Sequence, residues 1–476
     1  MRASHWRSAT LLVVGELACS HDVGGAGSQS TDTTASMTAS ETSSSAPSSS
    51  SSSDSTFNAS ATSVDSEAST SAPAVCGNGI VEAGEQCDGA EIAGLPCPAA
   101  CAFAPGEELW MTRVGEVGVA EFDGGIAVDD DGVVFVGGFW FDENAVFSAR
   151  VSRLEPDGTW TWSRSSSSDD PGQGHTYLAV AVDAAADRVI AVGEVGNVCA
   201  VELWTRAGEM EWAVTHDPGG EGAKYQAESV IVMPDDRILV ACAQQDPVGV
   251  NPLRLLEYDV TGELLSSTVI DDPTPSPSNI IAGTRLARSS DGERFAFGCT
   301  TLAAAPFDAW LRVFRSPSEP LWDQIADGPA DFDVDTYAQV AFAPDNSVVA
   351  VGTFHDESSD IWVHAFEADG APKWTAIYSD PVFEDVGGGV AIGADGSVFA
   401  HGYTRVDTAG DVDHWLRKYD PAGVVMWTQT WGDPDSSFSW DYGRELAIDP
   451  DGFVLTLGTA YTPDGEQDVI VRKIAP

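Results

Sequence analysis

The sequence predicts an all-β fold, a seven-bladed β-propeller, on three observations. The first is a pattern that returns seven times: an apolar alternation, an acidic turn, a second apolar alternation and usually a Gly. It runs from Gly125 to Gly137, Val180 to Gly193, Val230 to Cys242, Leu286 to Gly298, Val340 to Gly352, Val390 to Gly402 and Leu446 to Gly458. Alternation at period two covers one face of a strand, and Asp, Asn and Gly between two such runs reverse the chain. Each unit is therefore a strand pair. The closing positions recur roughly every 50 to 56 residues, the spacing of four-stranded blades rather than of helical solenoids.

The second observation is that a third and a fourth strand follow each pair. The third is plain in Asp308 to Phe314, Asp360 to Phe366 and Asp413 to Tyr419. Four residues past the next turn Gly stands a Trp: Trp162 after Gly158, Trp212 after Gly208, Trp374 after Gly370, Trp427 after Gly423. Trp322 holds the same place without a Gly, and blade three has Ser266 there. These tryptophans are expected to pack apolar area between blades; stacking on a sugar is the sharper alternative. The third observation is that the ends complement each other. The chain finishes on a third strand, Asp468 to Ile474, while Gly106 to Arg113 places Trp110 four residues after a Gly. A ring of sheets hides its edges when its first and last segments share a blade, so residues 105–114 are expected to pair with the C-terminal strand.

The propeller is assigned to residues 105–476, and three elements precede it. Arg2, His5 and Arg7 lead into a short apolar run, Ala9 to Gly15, that ends at Leu17-Ala-Cys19, so residues 1–19 read as a signal peptide. Residues 20–74 are rich in Ser, Thr and Ala, with Ser48 to Ser53 unbroken. That composition is too poor in large apolar groups to fold and reads as a disordered tether. Residues 75–104 hold Cys76, Cys87, Cys97 and Cys101. So few residues bury little core, and disulfides are the expected staple, which points to an oxidising compartment. Four cysteines allow three pairings, and the spacing does not choose among them. A zinc site is the rival reading, against which stands the lack of paired short knuckles.

Resemblances add to this reading. Gly432-Asp433, Asp441-Tyr-Gly443, Leu446 to Gly452 and Val454 to Gly458 resemble the seven-bladed propeller repeat of bacterial surface and secreted proteins. The likeness implies a fold, and one propeller shape serves many functions. The stretch from Cys76 to Cys101 resembles the cysteine-rich repeat of myxobacterial surface proteins, in one copy, shortened after the second Cys to Asp88-Gly89-Ala90. The first residues resemble a bacterial lipoprotein signal, which implies lipidation at Cys19; Glu16 stands where an aliphatic residue is usual, and plain cleavage with release is the alternative. No segment reaches the roughly 18 apolar residues of a membrane-spanning helix, so lipid is the only membrane attachment expected.

The formal net charge is -51, from 74 acidic and 23 basic residues. Nucleic acid and anionic headgroups are poor partners for such a surface. A subset of the acids forms the candidate site. Five residues before the first apolar position of each blade stand Glu121, His175, Tyr225, Ile281, Asp335, Asp385 and Asp441. The opening strand is innermost, so these are expected to ring one mouth of the channel, with Asp169, Asp170, Asp331, Asp333, Asp433 and Asp435 in nearby loops. Carboxylates gathered there would suit calcium, which takes six to eight oxygens; capping of their own turns is the alternative. Asp129-Asp-Asp131-Gly132 superficially matches a calcium loop but occupies a turn position. Cys199, Cys242 and Cys299 form an odd set, with at least one buried thiol expected.

The sequence carries no nucleophile elbow, metal-binding His-Glu-x-x-His helix or phosphate loop. The reading is an exported, lipid-anchored surface protein that displays a monomeric propeller as a binding or scaffolding module for a cell-surface protein or glycan. The alternative is a secreted carbohydrate-active hydrolase or lyase using channel-mouth carboxylates.

Overall fold

The computed structural model describes residues 76–476 except 78–80, 82–84, 90, 93, 116–118, 142–146, 167–172, 184–186, 220–222, 246–251, 271–280, 302–307, 327–334, 356–357, 380–382, 408–410, 433–440 and 462–466, with the main chain alone at 91, 245, 281–283 and 461. Cys76–Pro476 is one compact unit. Its described residues form strands and turns and no helix, arranged as seven four-stranded antiparallel sheets and one two-stranded ribbon, Glu91–Ile92 with Leu95–Pro96. Blade one shows the plan: Glu121–Val128, Val134–Phe141, Phe147–Leu154 and Trp160–Ser166, each paired with the next. Blades two to six start at His175, Lys224, Ile281, Thr336 and Asp385.

Blade seven is built from both ends of the chain. Tyr442–Ile448, Val454–Tyr461 and Gln467–Ile474 are completed by Glu108–Val114, in the order that closes the ring. Thr112 lies opposite Val471 and Val114 opposite Val469. The N–H of Gly106 reaches the carbonyl of Ala475 at 3.0 Å, and that of Ala475 reaches Glu107 at 2.8 Å. The predicted closure is thus the observed one. Lys473, 1% exposed, reinforces it: its ammonium lies 2.7 Å from Asp449 and donates to the carbonyl of Pro156 in blade one at 3.2 Å.

The core is divided among the seven seams, one apolar cluster to each pair of neighbouring blades. A wedge-shaped sheet cannot bury both faces alone, so each blade is stabilised by its neighbours. The tryptophans work at these seams as expected. Trp110, Trp212, Trp322 and Trp374 each donate an indole N–H to the turn of the next blade, to Pro156, Val260, Ala368 and Pro421, at 2.9–3.2 Å. Each ring lies under a Gly two residues further on, Gly158, Gly262, Gly370 or Gly423, with φ of 84–88°. That φ disfavours any Cβ, and one at Gly423 would sit 2.6 Å from the Trp374 ring. The pairing explains both exceptions to the Trp rule. Blade three offers Ser266 in place of Trp, and the blade-four turn that would receive it, between Ser316 and Glu319, has no Gly.

Candidate functional site at the channel and loop face

The two faces of the ring differ. On one, first-to-second and third-to-fourth strands are joined by short turns held by Asp side chains. Asp129, Asp449 and Asp420 each accept two main-chain N–H groups through one oxygen at 2.9–3.0 Å. Asp345 and Asp395 accept from the main chain and hydroxyl of the Ser two residues on. The Ser289 hydroxyl, the Glu293 N–H and the Asn346 amide together hold the Asp291 carboxyl down at about 2. Asp129-Asp-Asp131-Gly132 is therefore a capped turn, and part of the acidic excess is turn chemistry.

The opposite, loop face carries the second-to-third and fourth-to-first connections. The fourteen segments that join strands there contain Asp or Glu repeatedly and no Lys or Arg. The candidate residues stand at its inner rim. Glu121 is buried and accepts from Arg150 at 3.0 Å. His175 lies 3.5 Å from Glu202, a carboxylate that accepts from Ser166 at 3.0 Å and from the Tyr177 hydroxyl; burial pulls the His175 imidazole down to about 4. Tyr225 donates to Gly219 at 2.9 Å. Asp335 accepts the His355 N–H at 3.1 Å, and Asp385 accepts the Thr404 hydroxyl. Asp441 is fully buried, its N–H on the carbonyl of Val412 at 3.0 Å. Each of these engages a partner in its own or the preceding blade. The side chain of Ile281 and the acids Asp169, Asp170, Asp331, Asp333, Asp433 and Asp435 lie outside the described residues, as do Cys19 and Glu16. Among the described residues, the one group of three metal-capable atoms is Cys87, Cys97 and Cys101.

Below the rim, the channel wall is polar for a local reason. Every innermost strand carries a β-bulge in its pairing with the second strand, as between Asp123 and Gly125, Ala227 and Ser229, and Gly443 and Glu445. A bulge leaves a main-chain group outside the ladder, and the preceding blade supplies a partner. Ser229 accepts from Leu286 at 2.9 Å, Gln339 from Val390 at 2.7 Å, and Glu445 from Ile126 at 3.2 Å. In blade four the same position is Arg285, a donor. It turns to blade seven, where Nε bonds Glu445 at 3.0 Å, while Nη1 bonds the Glu228 carbonyl at 2.8 Å. Blades four and seven stand three steps apart in a ring of seven, so this ion pair crosses the channel. Arg444 lies 3.3 Å from Asp123. Burial raises the Asp123 carboxyl despite Arg444, and raises that of Glu445 despite Arg285. Sequence reading missed this network, whose signal is a charged residue one place past the bulge.

The cysteines are resolved into three disulfides, Cys76–Cys101, Cys87–Cys97 and Cys199–Cys242. The last joins the third strand of blade two to the second strand of blade three, across their seam. From sequence, Cys199, Cys242 and Cys299 were an odd set with no pairing assigned. Cys299 is buried and stands outside the disulfides.

No protein-family model matches the chain, and no curated protein matches it. Its likenesses are to solved structures. Kuenenia stuttgartiensis hydrazine synthase is 13% identical over 72% of this chain and 94% of that one, with a TM-score of 0.49. The β-propeller domain of the trilobed protease of Pyrococcus furiosus is 8% identical over 75% and 98%, TM-score 0.42. The WD40 domain of Toxoplasma gondii coronin is 11% identical over 79% and 89%, TM-score 0.42. At such identities no activity transfers to this chain. The propeller fold presents loops on a rigid ring, and that shape by itself names no function.

Proposed function

We propose that this chain is an exported, lipid-anchored surface protein whose propeller binds a protein partner of basic surface through its loop face. The observation that carries export is the Cys199–Cys242 disulfide, whose two cysteines are both 0% exposed in the seam of blades two and three. Structural disulfides persist in oxidising compartments and are rare elsewhere. The signal-like residues 1–19 and Cys19 support the same reading. The acidic excess of the loop-face connections, with Lys224 and Arg405 at their strand ends, supports the partner's chemistry, because a predominantly acidic surface steers a basic one and disfavours acidic competitors. The Ser-, Thr- and Ala-rich composition of residues 20–74, poor in large apolar groups, suits a tether between anchor and ring.

Fractionation of cells expressing the full chain and its Cys19→Ala variant tests the anchor. The wild type should sediment with membranes and the variant should be released; equal release of both would remove the lipid anchor from the reading. The carbohydrate-active alternative has one observation in its favour, the raised carboxyls of Asp123 and Glu445 in the channel, since such groups can serve as general acids. Turnover of a glycan that is lost in Glu445→Gln with the fold intact would favour it.

A further inference from the structure

We propose that the groove at the seam of blades five and six, on the turn face, binds a primary alkylammonium: the side chain of a lysine on a protein partner. The site lies opposite the loop face, and the inference holds whatever that face takes.

The argument comes from what fills the same place at other seams. In each blade one third-strand residue, paired with the second residue of the second strand or, in the longer strand of blade two, with the third, faces this region: Arg153, Leu203, Glu257, Val313, Ala365, Lys418 and Lys473 in blades one to seven. The last two show what the region accommodates. Lys473 is buried, with its ammonium 2.7 Å from Asp449 and 3.2 Å from the carbonyl of Pro156 in the next blade. Lys418 is 9% exposed, with its ammonium 5.0 Å from the centre of the Phe399 ring. Blade five has Ala365, the smallest of the seven, opposite Val349.

There the chain leaves a groove of ≈ 210 Å³ with Val349, Ala365 and Val398 as apolar walls and Trp374 beside them. Asp345, Asp395 and Pro421 also line it. The Pro421 carbonyl accepts the Trp374 N–H at 3.2 Å and keeps a second lone pair; it is the counterpart of the Pro156 carbonyl that holds Lys473. An apolar trough with the Asp395 carboxylate, which the Lys418 ammonium also faces, and a carbonyl at its rim matches a butyl stem ending in three N–H donors. Lys373, also at the rim, lies 3.4 Å from both Asp345 and the Ser347 hydroxyl, so it spends Asp345 and opposes the guest.

Calorimetric titration of the full chain with n-butylammonium and Nα-acetyl-lysine methylamide tests this, with n-butanol as the neutral control. Both ammonium probes should bind at least tenfold more tightly than butanol. Ala365→Lys should abolish binding with no fall in Tm, because the new side chain occupies the place that Lys418 and Lys473 hold. Lys373→Met should tighten binding severalfold. Ala365→Leu, which fills the trough without a charge, reads the same loss should the lysine variant fail to fold. Equal binding of butanol, undiminished binding by the filled variants, or no binding of either ammonium would each overturn the proposal.

Discussion

Single residues account for most of the chemistry in this ring, and four buried histidines set its response to acid. Burial alone pulls His175 to about 4 and His364 to about 3, while burial, chiefly, holds His401 at about 3 and His414 well below its ordinary value. His401 and His414 stand 3.4 Å apart in the second and third strands of blade six, with Arg472 nearby. A base with a depressed folded pKa contributes stability that is complete above its unfolded value near 6.5 and is lost as pH falls toward the folded one. Each such group supplies a slope of up to about 1.4 kcal/mol per pH unit in that interval. Urea midpoints measured from pH 7 to pH 4.5 should therefore fall less steeply for the His401→Gln, His414→Gln double variant than for wild type; equal slopes would contradict the assignment. At Gly370, φ is 88° and an added Cβ would stand 2.8 Å from the Trp322 ring. Gly370→Ala should cost about 2 kcal/mol or more by equilibrium unfolding.

At the scale of the element, the seam is the unit of stability. Each outer-strand Trp is matched to a turn in the next blade, so Trp374→Ala, which empties one such contact, should destabilise by about 3 kcal/mol, and pairing it with Gly423→Ala should cost less than the two changes summed. How legible such features were in sequence follows from whether their cause is local. Strands and turns could be read because alternation and Asp-x-Gly turns act within ten residues, and the Trp110 spacing exposed the closing strand because it copies the other blades. The matching of Ser266 with a turn lacking Gly could not be read until Gly and Trp were known to meet across blades. Nothing near Arg285 marks Glu445 as its partner, since the ring, not the chain order, brings them together. Cys199 and Cys242 escaped for a related reason: neighbouring blades meet with unlike strands opposed, third against second, which the repeat by itself does not display. The rim residues Glu121, Asp335 and Asp385 were placed at the start of the innermost strand by the repeat, but their hydrogen-bond partners Arg150, His355 and Thr404 lie on other strands whose register only the structure displays.

At the scale of the whole molecule, the ring stands or falls on its closure. Removing residues 105–114 would strip the last strand of its partner and expose its edge and the seam with blade one. Size-exclusion chromatography should then show soluble aggregates, whereas a monodisperse monomer would contradict the closure. The disulfide between blades two and three ties the export reading to the fold. The most direct measurement is non-reducing peptide mass spectrometry of the full-length protein isolated from its own cells. The account predicts a linked Cys199–Cys242 peptide, linked Cys76–Cys101 and Cys87–Cys97 peptides, and an N-terminus at a lipid-modified Cys19. Reduced thiols at Cys199 and Cys242 in a chain that still carries residues 1–18 would contradict it.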